Sequence, residues 1–158
     1  MEGTRRKILK GTGGMAVLGL AVAAGLFKPG SAWAQQGWNK AAFETKSLND
    51  AVKALGGAGA AESKDITITS PDIAENGAVV PFTITSKVPN TAAIAILVEK
   101  NPNILTASFT IPDGTEPSVN TRVKMGQTSN VIALVKTADG KYQYASKEVK
   151  VTLGGCGG

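Results

Sequence analysis

The amino-acid sequence predicts a mainly β protein, in which a short N-terminal helix precedes an antiparallel β-sandwich. Two observations lead to this fold class. From Asp65 onward, short segments alternate between apolar and polar residues, as strands with one buried face do. Clusters of Pro, Gly and Asn separate these segments at short intervals. About seven or eight short strands arranged in this way favour a sandwich of the immunoglobulin-like type.

The first 34 residues have the pattern of a cleaved twin-arginine signal peptide. Arg5 and Arg6 stand in a basic segment, an apolar stretch follows at 13–27, and Ala32-Trp33-Ala34 supplies the small-x-small site that a signal peptidase recognises. The apolar stretch is short for a membrane-spanning helix, and an N-terminal membrane anchor is the alternative. We therefore expect cleavage after Ala34, export by the twin-arginine route and a periplasmic location.

The basic character of the full chain comes from this signal segment. Its five Lys/Arg and one Glu carry +4 of the formal net charge of +5. The mature part, 35–158, is close to neutral, and its basic residues are scattered rather than clustered as phosphate binding requires. We expect neither a nucleic-acid partner nor a membrane partner for the mature protein. Its length fits a single domain that folds without disulfides.

A helical segment is expected at 35–57, where apolar residues at helical spacing predict one helix over 38–55. The residues of its apolar face are Ala42, Phe43, Leu48, Val52 and Leu55. Ser47, with Asp50 three residues later, resembles an N-cap, so the regular helix is expected to begin there. Gly56-Gly57 ends the helix, and a linker of small residues follows at 58–61.

The sandwich itself is expected to span 58–153. Its predicted strands are 66–69, 79–85, 93–98, 105–111, 119–125, 131–137, 142–145 and 149–153. Asp139-Gly140 is typical of a tight hairpin turn between the last strands. The run 93–98 is almost continuously apolar, so we expect both of its faces to be covered, and an exposed sheet edge or face to be available for a partner.

The composition excludes several kinds of chemistry. The chain has no histidine, which removes the commonest general base and metal ligand, and its one cysteine rules out thiolate zinc sites, iron–sulfur clusters and an internal disulfide. The carboxylates near strand ends are expected at the solvated surface; they are Asp65, Asp72, Glu75, Asp113, Glu116 and Asp139. We therefore expect no cofactor, no metal and no catalytic centre of the chain's own.

The C-terminus carries the one reactive group that stands out. Cys156 lies between two pairs of glycines, Gly154, Gly155, Gly157 and Gly158, which predicts a flexible arm over 154–158. The nearest cation in sequence is Lys150, so activation of the thiol is expected to come from partner enzymes. A disordered terminus and an intermolecular disulfide are the alternatives. From Leu153, the thiol can extend roughly 10 Å into a narrow site.

Three segments of the sequence resemble the SoxY family, the sulfur carriers of bacterial thiosulfate oxidation. They are the ending 147–158 (KEVKVTLGGCGG), the segment 98–103 (VEKNPN) and the segment 121–126 (TRVKMG). The glycine-flanked cysteine is the most specific of these features, and the twin-arginine signal and small-residue linker agree with the resemblance, which covers essentially the whole chain.

The resemblance implies a periplasmic protein that pairs with a second sandwich protein, SoxZ, and carries sulfur on Cys156. By that analogy a c-type cytochrome complex joins thiosulfate to Cys156 oxidatively, and a manganese-dependent hydrolase releases sulfate. In some organisms a molybdenum–haem sulfane dehydrogenase then oxidises the remaining sulfane sulfur. The carrier supplies the thiol and the arm, and the redox and metal centres belong to its partners.

Two other functions compete with a sulfur carrier. One is a secreted sandwich-type binding or adhesion module with an incidental thiol in its tail, which deletion of the last five residues would leave active. The other is a ubiquitin-like modifier, since such proteins end in Gly-Gly. A modifier uses a terminal carboxylate and a helix-containing roll, which agree poorly with the predicted strands and export signal.

Overall fold

The computed structural model describes residues 39–152, and within this range it contains two short helices and nine strands. The helices are α1 (Lys40–Phe43) and α2 (Leu48–Ala54). The strands are β1 (Ala60–Glu62), β2 (Ile66–Thr69), β3 (Ile73–Ala74), β4 (Val80–Ser86), β5 (Thr91–Val98), β6 (Leu105–Thr110), β7 (Ser118–Val123), β8 (Ser129–Thr137) and β9 (Tyr142–Val151). No helix in this range is long and apolar enough to cross a membrane.

The strands form two sheets, which confirms the mainly β, immunoglobulin-like fold class. The larger sheet has the order β1-β9-β8-β5-β6, with β3 also paired to β9, and the smaller sheet has the order β2-β4-β7. The long strands pair antiparallel, as expected. Two very short strands depart from this pattern, because β1 and β3 each pair parallel to β9.

The main core lies between the two sheets. Strand β4 buries every second side chain, including Phe82 and Ile84, which is the alternation expected of a strand with one solvated face. The facing side chains of β5 are Ile94, Ile96 and Val98, all fully buried in the same cluster.

A second cluster covers the outer face of the larger sheet. Ala95 and Leu97 of β5 pack there with Val52 of α2, so the apolar run 93–98 is covered on both faces as predicted. The Tyr142 hydroxyl donates a hydrogen bond to the Leu55 carbonyl at 2.6 Å, which ties the end of α2 to β9. The chain's own helices therefore cover the outer face of this run.

The prediction of one continuous helix over 38–55 is wrong. Two helices form instead, because the chain leaves helical geometry between Phe43 and Leu48. The Thr45 hydroxyl donates to the Ala42 carbonyl at 2.7 Å and helps to close the first helix. The predicted cap is confirmed: the Ser47 hydroxyl accepts a hydrogen bond from the Asp50 amide at 3.1 Å.

Three strand predictions also need correction. The linker 58–61 contributes to β1, and β3 has no counterpart among the predicted strands. The predicted strands 142–145 and 149–153 are replaced by one strand, β9, which ends at Val151, because its polar middle keeps its pairing with β8 through Ser146, Lys147 and Glu148; residue 153 lies outside the described residues. The end of this long strand leads directly to the C-terminal tail.

Candidate functional site at the root of the C-terminal tail

The residues predicted to carry the function lie outside the described part of the chain. These are Cys156, the glycines Gly154, Gly155, Gly157 and Gly158, and the export residues Arg5 and Arg6. What the structure describes is the point from which the tail leaves, Val151 and Thr152, which we name the arm root.

Backbone hydrogen bonds hold the arm root on the sandwich. The Lys150 amide donates to the Asp72 carbonyl at 2.9 Å, and the Thr152 amide donates to the Ala74 carbonyl at 3.1 Å. The Val151 amide donates to the Thr128 hydroxyl at 2.9 Å. The chain is therefore fixed through Thr152, four residues before Cys156.

Gly77 packs against the arm root at a distance that excludes any side chain. A Cβ at this position would lie 2.4 Å from the Met125 carbonyl oxygen and 2.7 Å from Cγ1 of Val151. The Met125 amide also donates to the Gly77 carbonyl at 2.7 Å. The sequence predicts only a turn at Glu75-Asn76-Gly77, and its close approach to the arm root depends on contacts across the fold.

A partly buried lysine supports the segment before β3. Lys147 forms an ion pair with Asp72 at 2.9 Å and donates to the Ser70 carbonyl at 2.8 Å. The Asp72 side chain is 87% exposed, so the pair contributes less than about 1 kcal/mol to stability and serves mainly to orient the segment.

Two loops meet beside the arm root. The Asn101 side-chain amide donates to the Lys124 carbonyl at 2.8 Å, and its Oδ1 accepts from the Gly126 amide at 3.2 Å. The Lys100 amide donates to the Ser129 hydroxyl at 3.0 Å.

These contacts bring together segments that are far apart in sequence. The loop 99–104, the loop 124–128 and the end of β9 contain most of the described residues of the three segments that carried the family resemblance. The structure gathers them at one end of the sandwich, around the place where the tail begins.

The opposite end of β9 carries the two shifted pKa values in residues 39–152, because Asp139 and Lys141 form an ion pair there at 2.8 Å, which lowers the pKa of Asp139 and raises that of Lys141. In the β8–β9 hairpin, a hydrogen bond from Lys141 and a second from Thr137 lower the pKa of Asp139 to about 2. All six carboxylates predicted at the surface are exposed. The residues 39–152 contain no group of three His, Cys, Asp or Glu side chains that could hold a metal ion.

A cavity of about 150 Å³ lies on the outer face of the larger sheet, at the end of α2. Its lining is mostly apolar and includes Leu55, Ala95 and Tyr142. The Lys136 ammonium lies 5.7 Å from the centre of the Tyr142 ring. The polar residues of the lining are Ser108, Lys136 and Tyr142, and it contains no carboxylate, histidine or cysteine, so the arm root is the better candidate for the functional site.

Comparisons with known proteins agree with the three segments at the arm root. A family model described as "Sulfur oxidation protein SoxY" matches residues 52–156. The solved structure of the sulfur carrier protein SoxY from Chlorobium limicola f. thiosulfatophilum is 37% identical, with a TM-score of 0.59. That similarity covers 67% of this chain and 96% of the other.

Other solved structures have low sequence identity and low TM-scores to this chain. A superoxide reductase (neelaredoxin) from Ignicoccus hospitalis is 18% identical, with a TM-score of 0.49, over 55% of this chain and 80% of that one. Fibronectin(III)-like modules of Clostridium thermocellum CbhA are 19% identical, with a TM-score of 0.43, over 54% and 93%. Neither similarity carries an argument about function. No curated protein sequence matches the chain.

Proposed function

Because this chain belongs to the SoxY family of sulfur carriers, we propose that it is a periplasmic protein that holds thiosulfate-derived sulfur covalently on Cys156. One observation supports this most directly: the family match runs to residue 156 and therefore includes the single cysteine of the chain. The structure adds a rigid platform from which a tail bearing that cysteine departs.

The first proposed step loads the carrier. The Cys156 thiolate and the outer sulfur of thiosulfate form an S–S bond, and two electrons leave to an acceptor. The acceptor is external, because this chain has no redox group other than the thiol itself, and the family resemblance implies a c-type cytochrome complex in that role. The product carries an anionic sulfonate at the end of a disulfide-type linkage.

The second proposed step releases sulfate. Water attacks the terminal sulfonate sulfur, the adjacent S–S bond breaks, and sulfate and two protons leave. A persulfide anion remains on Cys156. A manganese-dependent hydrolase supplies the metal for this step. In organisms that possess a sulfane dehydrogenase, that enzyme accepts six electrons as the persulfide sulfur takes oxygen from three waters, releases six protons and becomes a sulfonate, and a second hydrolysis then releases it as sulfate. The carrier acts as a covalent support in each step and not as an enzyme.

The proposed arm has a short, defined reach. Cys156 lies four positions beyond Thr152, the last residue held by the sheet, so the thiol extends about 13–14 Å from the root. Glycines on both sides of the cysteine keep the arm narrow and give its backbone wide freedom. Ordering five tail residues costs on the order of 5–10 kcal/mol, which favours release after each reaction.

We also propose that the protein works as a heterodimer with SoxZ. The twin-arginine route exports folded proteins, and this chain has no histidine and a single cysteine with which to hold a cofactor. Assembly with a companion that lacks its own signal is then the reason to fold before export. Changing Arg5 and Arg6 to Lys should leave both proteins in the cytoplasm, and a companion that still reaches the periplasm would contradict this.

The experiment that tests the proposed function replaces Cys156 with Ser. The serine hydroxyl cannot form a persulfide or a disulfide-type linkage, so thiosulfate oxidation should stop while the melting temperature stays unchanged. Normal oxidation by this variant would refute a sulfur carrier. An adhesion module, in contrast, keeps its binding activity when residues 154–158 are deleted.

A further inference from the structure

The end of β9 is held by a separate short segment rather than by the rest of the sheet. Strand β8 pairs with β9 only as far as Val149. Of the three amides that follow, those of Lys150 and Thr152 donate to carbonyls of the segment 70–74, which contains β3, and the middle one donates to the Thr128 hydroxyl. In residues 39–152, β3 pairs with β9 alone. The position of the arm root therefore depends largely on this segment, which we name the strap.

One lysine of β9 holds the strap against the strand. The Lys147 ammonium donates to the Ser70 carbonyl at 2.8 Å and pairs with the Asp72 carboxylate at 2.9 Å. The Lys147 side chain is only 29% exposed, so its bond to the Ser70 carbonyl is less screened by solvent than its pairing with the exposed Asp72. Lys147 thus fixes the beginning of the strap, three to five residues before the arm root along β9.

The strap has little burial of its own to keep it in place. Of the two residues of β3, Ala74 is buried in the main core, whereas Ile73 is exposed. The Ser70 hydroxyl oxygen is enclosed by protein and has no hydrogen-bond partner within residues 39–152. A buried hydroxyl without a partner destabilises the conformation that buries it, and opening of the strap returns this hydroxyl to water. Lys147 therefore favours the closed strap, and Ser70 opposes it.

The state of the strap determines the length of the arm. With the strap closed, the arm begins after Thr152, and Cys156 reaches about 13–14 Å. With the strap open, the arm begins after Val149, the last residue of β9 that β8 pairs, and seven positions give a reach of roughly 23–25 Å. The closed strap thus confines the thiol to a smaller volume.

We propose that Lys147 is a positioning residue for Cys156, because it keeps the strap closed and the arm at its shorter reach, while the unpaired Ser70 hydroxyl keeps the open form accessible. This proposal rests on the proposed carrier function. The effective concentration of a tethered group falls as about the −3/2 power of tether length, so an arm of seven residues presents its thiol to a centre within the shorter reach about twofold less often than one of four.

Hydrogen exchange measures the closing of the strap without reference to sulfur chemistry. In the mature protein with its companion, Lys147→Met should make the Lys150 and Thr152 amides exchange at least about tenfold faster, because a hydrogen bond from a charged donor is lost. Lys147→Arg should restore their protection. The amides that pair β8 with β9 should exchange at the wild-type rate in both variants. Unchanged exchange at Lys150 and Thr152 in Lys147→Met would overturn the proposal.

A substitution with the opposite effect tests the role of Ser70. Ser70→Ala removes the unpaired hydroxyl and keeps the backbone carbonyl that Lys147 binds. The Lys150 and Thr152 amides should therefore exchange about threefold or more slowly than in the wild type. Faster or unchanged exchange in this variant would show that the hydroxyl does not oppose closing, and would overturn that part of the proposal.

A nitroxide attached to Cys156 measures the reach directly. The label broadens the NMR signals of the backbone amides that it approaches. Lys147→Met should extend the broadening to amides roughly 10 Å farther from the arm root than in the wild type. Lys150→Met is the matched control, since its side chain is exposed on the same strand and forms no ion pair within residues 39–152, and it should leave the pattern unchanged. An identical pattern in Lys147→Met would refute the change in reach.

Enzymatic loading connects the strap to the reaction. The protein and its companion are incubated with thiosulfate and a periplasmic extract from host cells that lack this chain, and intact mass follows loading of Cys156. Lys147→Met should lower the rate at saturating carrier about twofold and leave the half-saturating concentration unchanged, because the arm and not the encounter is affected. Lys147→Arg should restore the rate. A change in the half-saturating concentration alone would contradict a positioning role.

Chemical loading separates positioning from the reactivity of the thiol. The Cys156 thiolate attacks tetrathionate, forms an S–S bond to a sulfonate-bearing sulfur and expels thiosulfate, with no other oxidant required. All variants should react with tetrathionate at the wild-type rate, and a slower Lys147→Met would contradict a role confined to the strap. Failure of the wild type to load in the extract would instead refute the proposed function, while the hydrogen-exchange result would still decide whether Lys147 closes the strap.

Discussion

Replacing Gly77 with Ala should destabilise the protein and displace the arm root. The new Cβ would lie 2.4 Å from the Met125 carbonyl oxygen, a backbone atom that cannot rotate away, and 2.7 Å from Cγ1 of Val151. Relieving both contacts requires the loop 75–79 to move away from the end of β9. Overpacking of this kind costs about 1–3 kcal/mol, which lowers the melting temperature of a domain of this size by roughly 5–15 °C.

The matched control is Gly126→Ala, in a neighbouring loop at the same end of the sandwich. A Cβ at Gly126 meets no atom within 4 Å, and the amide that Asn101 binds is retained. This variant should unfold within about 0.5 kcal/mol of the wild type. Thermal and urea denaturation of both variants, followed by circular dichroism, measures the difference.

The Gly77 variant should also slow sulfur loading, because the root from which the arm departs is no longer held in place. Equal stability of the two alanine variants would show that Gly77 does not pack against the arm root as described. Wild-type loading by an otherwise destabilised Gly77 variant would refute the link between the position of the root and delivery of Cys156.

Three further predictions concern the Tyr142 hydroxyl, the Asp139 carboxyl and two glycines of the tail. Tyr142→Phe removes the hydrogen bond to Leu55 and should cost about 0.5–1.5 kcal/mol in urea denaturation, whereas Tyr144→Phe should cost less because the Tyr144 hydroxyl has no hydrogen bond in residues 39–152. Carbon NMR of Asp139 should give a midpoint of about 2. Since this folded-state pKa lies below the ordinary 3.8, its contribution to stability is present above about pH 4 and is lost as the pH falls through 2. Replacing Gly155 and Gly157 with Val should slow turnover without changing the melting temperature, and a sharp fall in stability would show that the tail is packed.

Local sequence signals predict the elements that depend on local physics. The Ser47 cap is confirmed because an N-cap forms between residues three apart. The prediction that both faces of the run 93–98 are covered is confirmed, because a continuously apolar strand has no polar face to expose to water. The mainly β class follows from the same alternation, which β4 shows most clearly.

Elements that depend on distant contacts could not be predicted in this way. Strand β3 has two residues and exists because the amides of Lys150 and Thr152, at the end of β9, donate to the carbonyls of Asp72 and Ala74. The polar middle of β9 remains a strand because β8 pairs with it, although its sequence predicts a break. The packing of Gly77 also cannot be predicted from nearby residues, since Val151, which it contacts, is 74 positions away in the sequence.

In the candidate site, too, some features are evident from the sequence and others depend on contacts between distant residues. The glycine-flanked Cys156 is evident from the sequence, and so are the segments 98–103 and 121–126 that resemble the family. Their convergence on the arm root depends on the hydrogen bonds of Asn101 and Thr128, which join loops that are distant in sequence. The contacts of Lys147 with the strap likewise become recognisable only in the folded chain.

The most direct test of the central claim is the intact mass of the mature protein isolated from cells that are oxidising thiosulfate. A carrier should show added sulfur or thiosulfate on a fraction of the molecules, a reductant should remove the added mass, and peptide mapping should place it on Cys156. The Cys156→Ser variant from the same cells should show no addition. A wild-type protein with unmodified mass throughout active thiosulfate oxidation, or added mass that persists in the serine variant, would contradict the account.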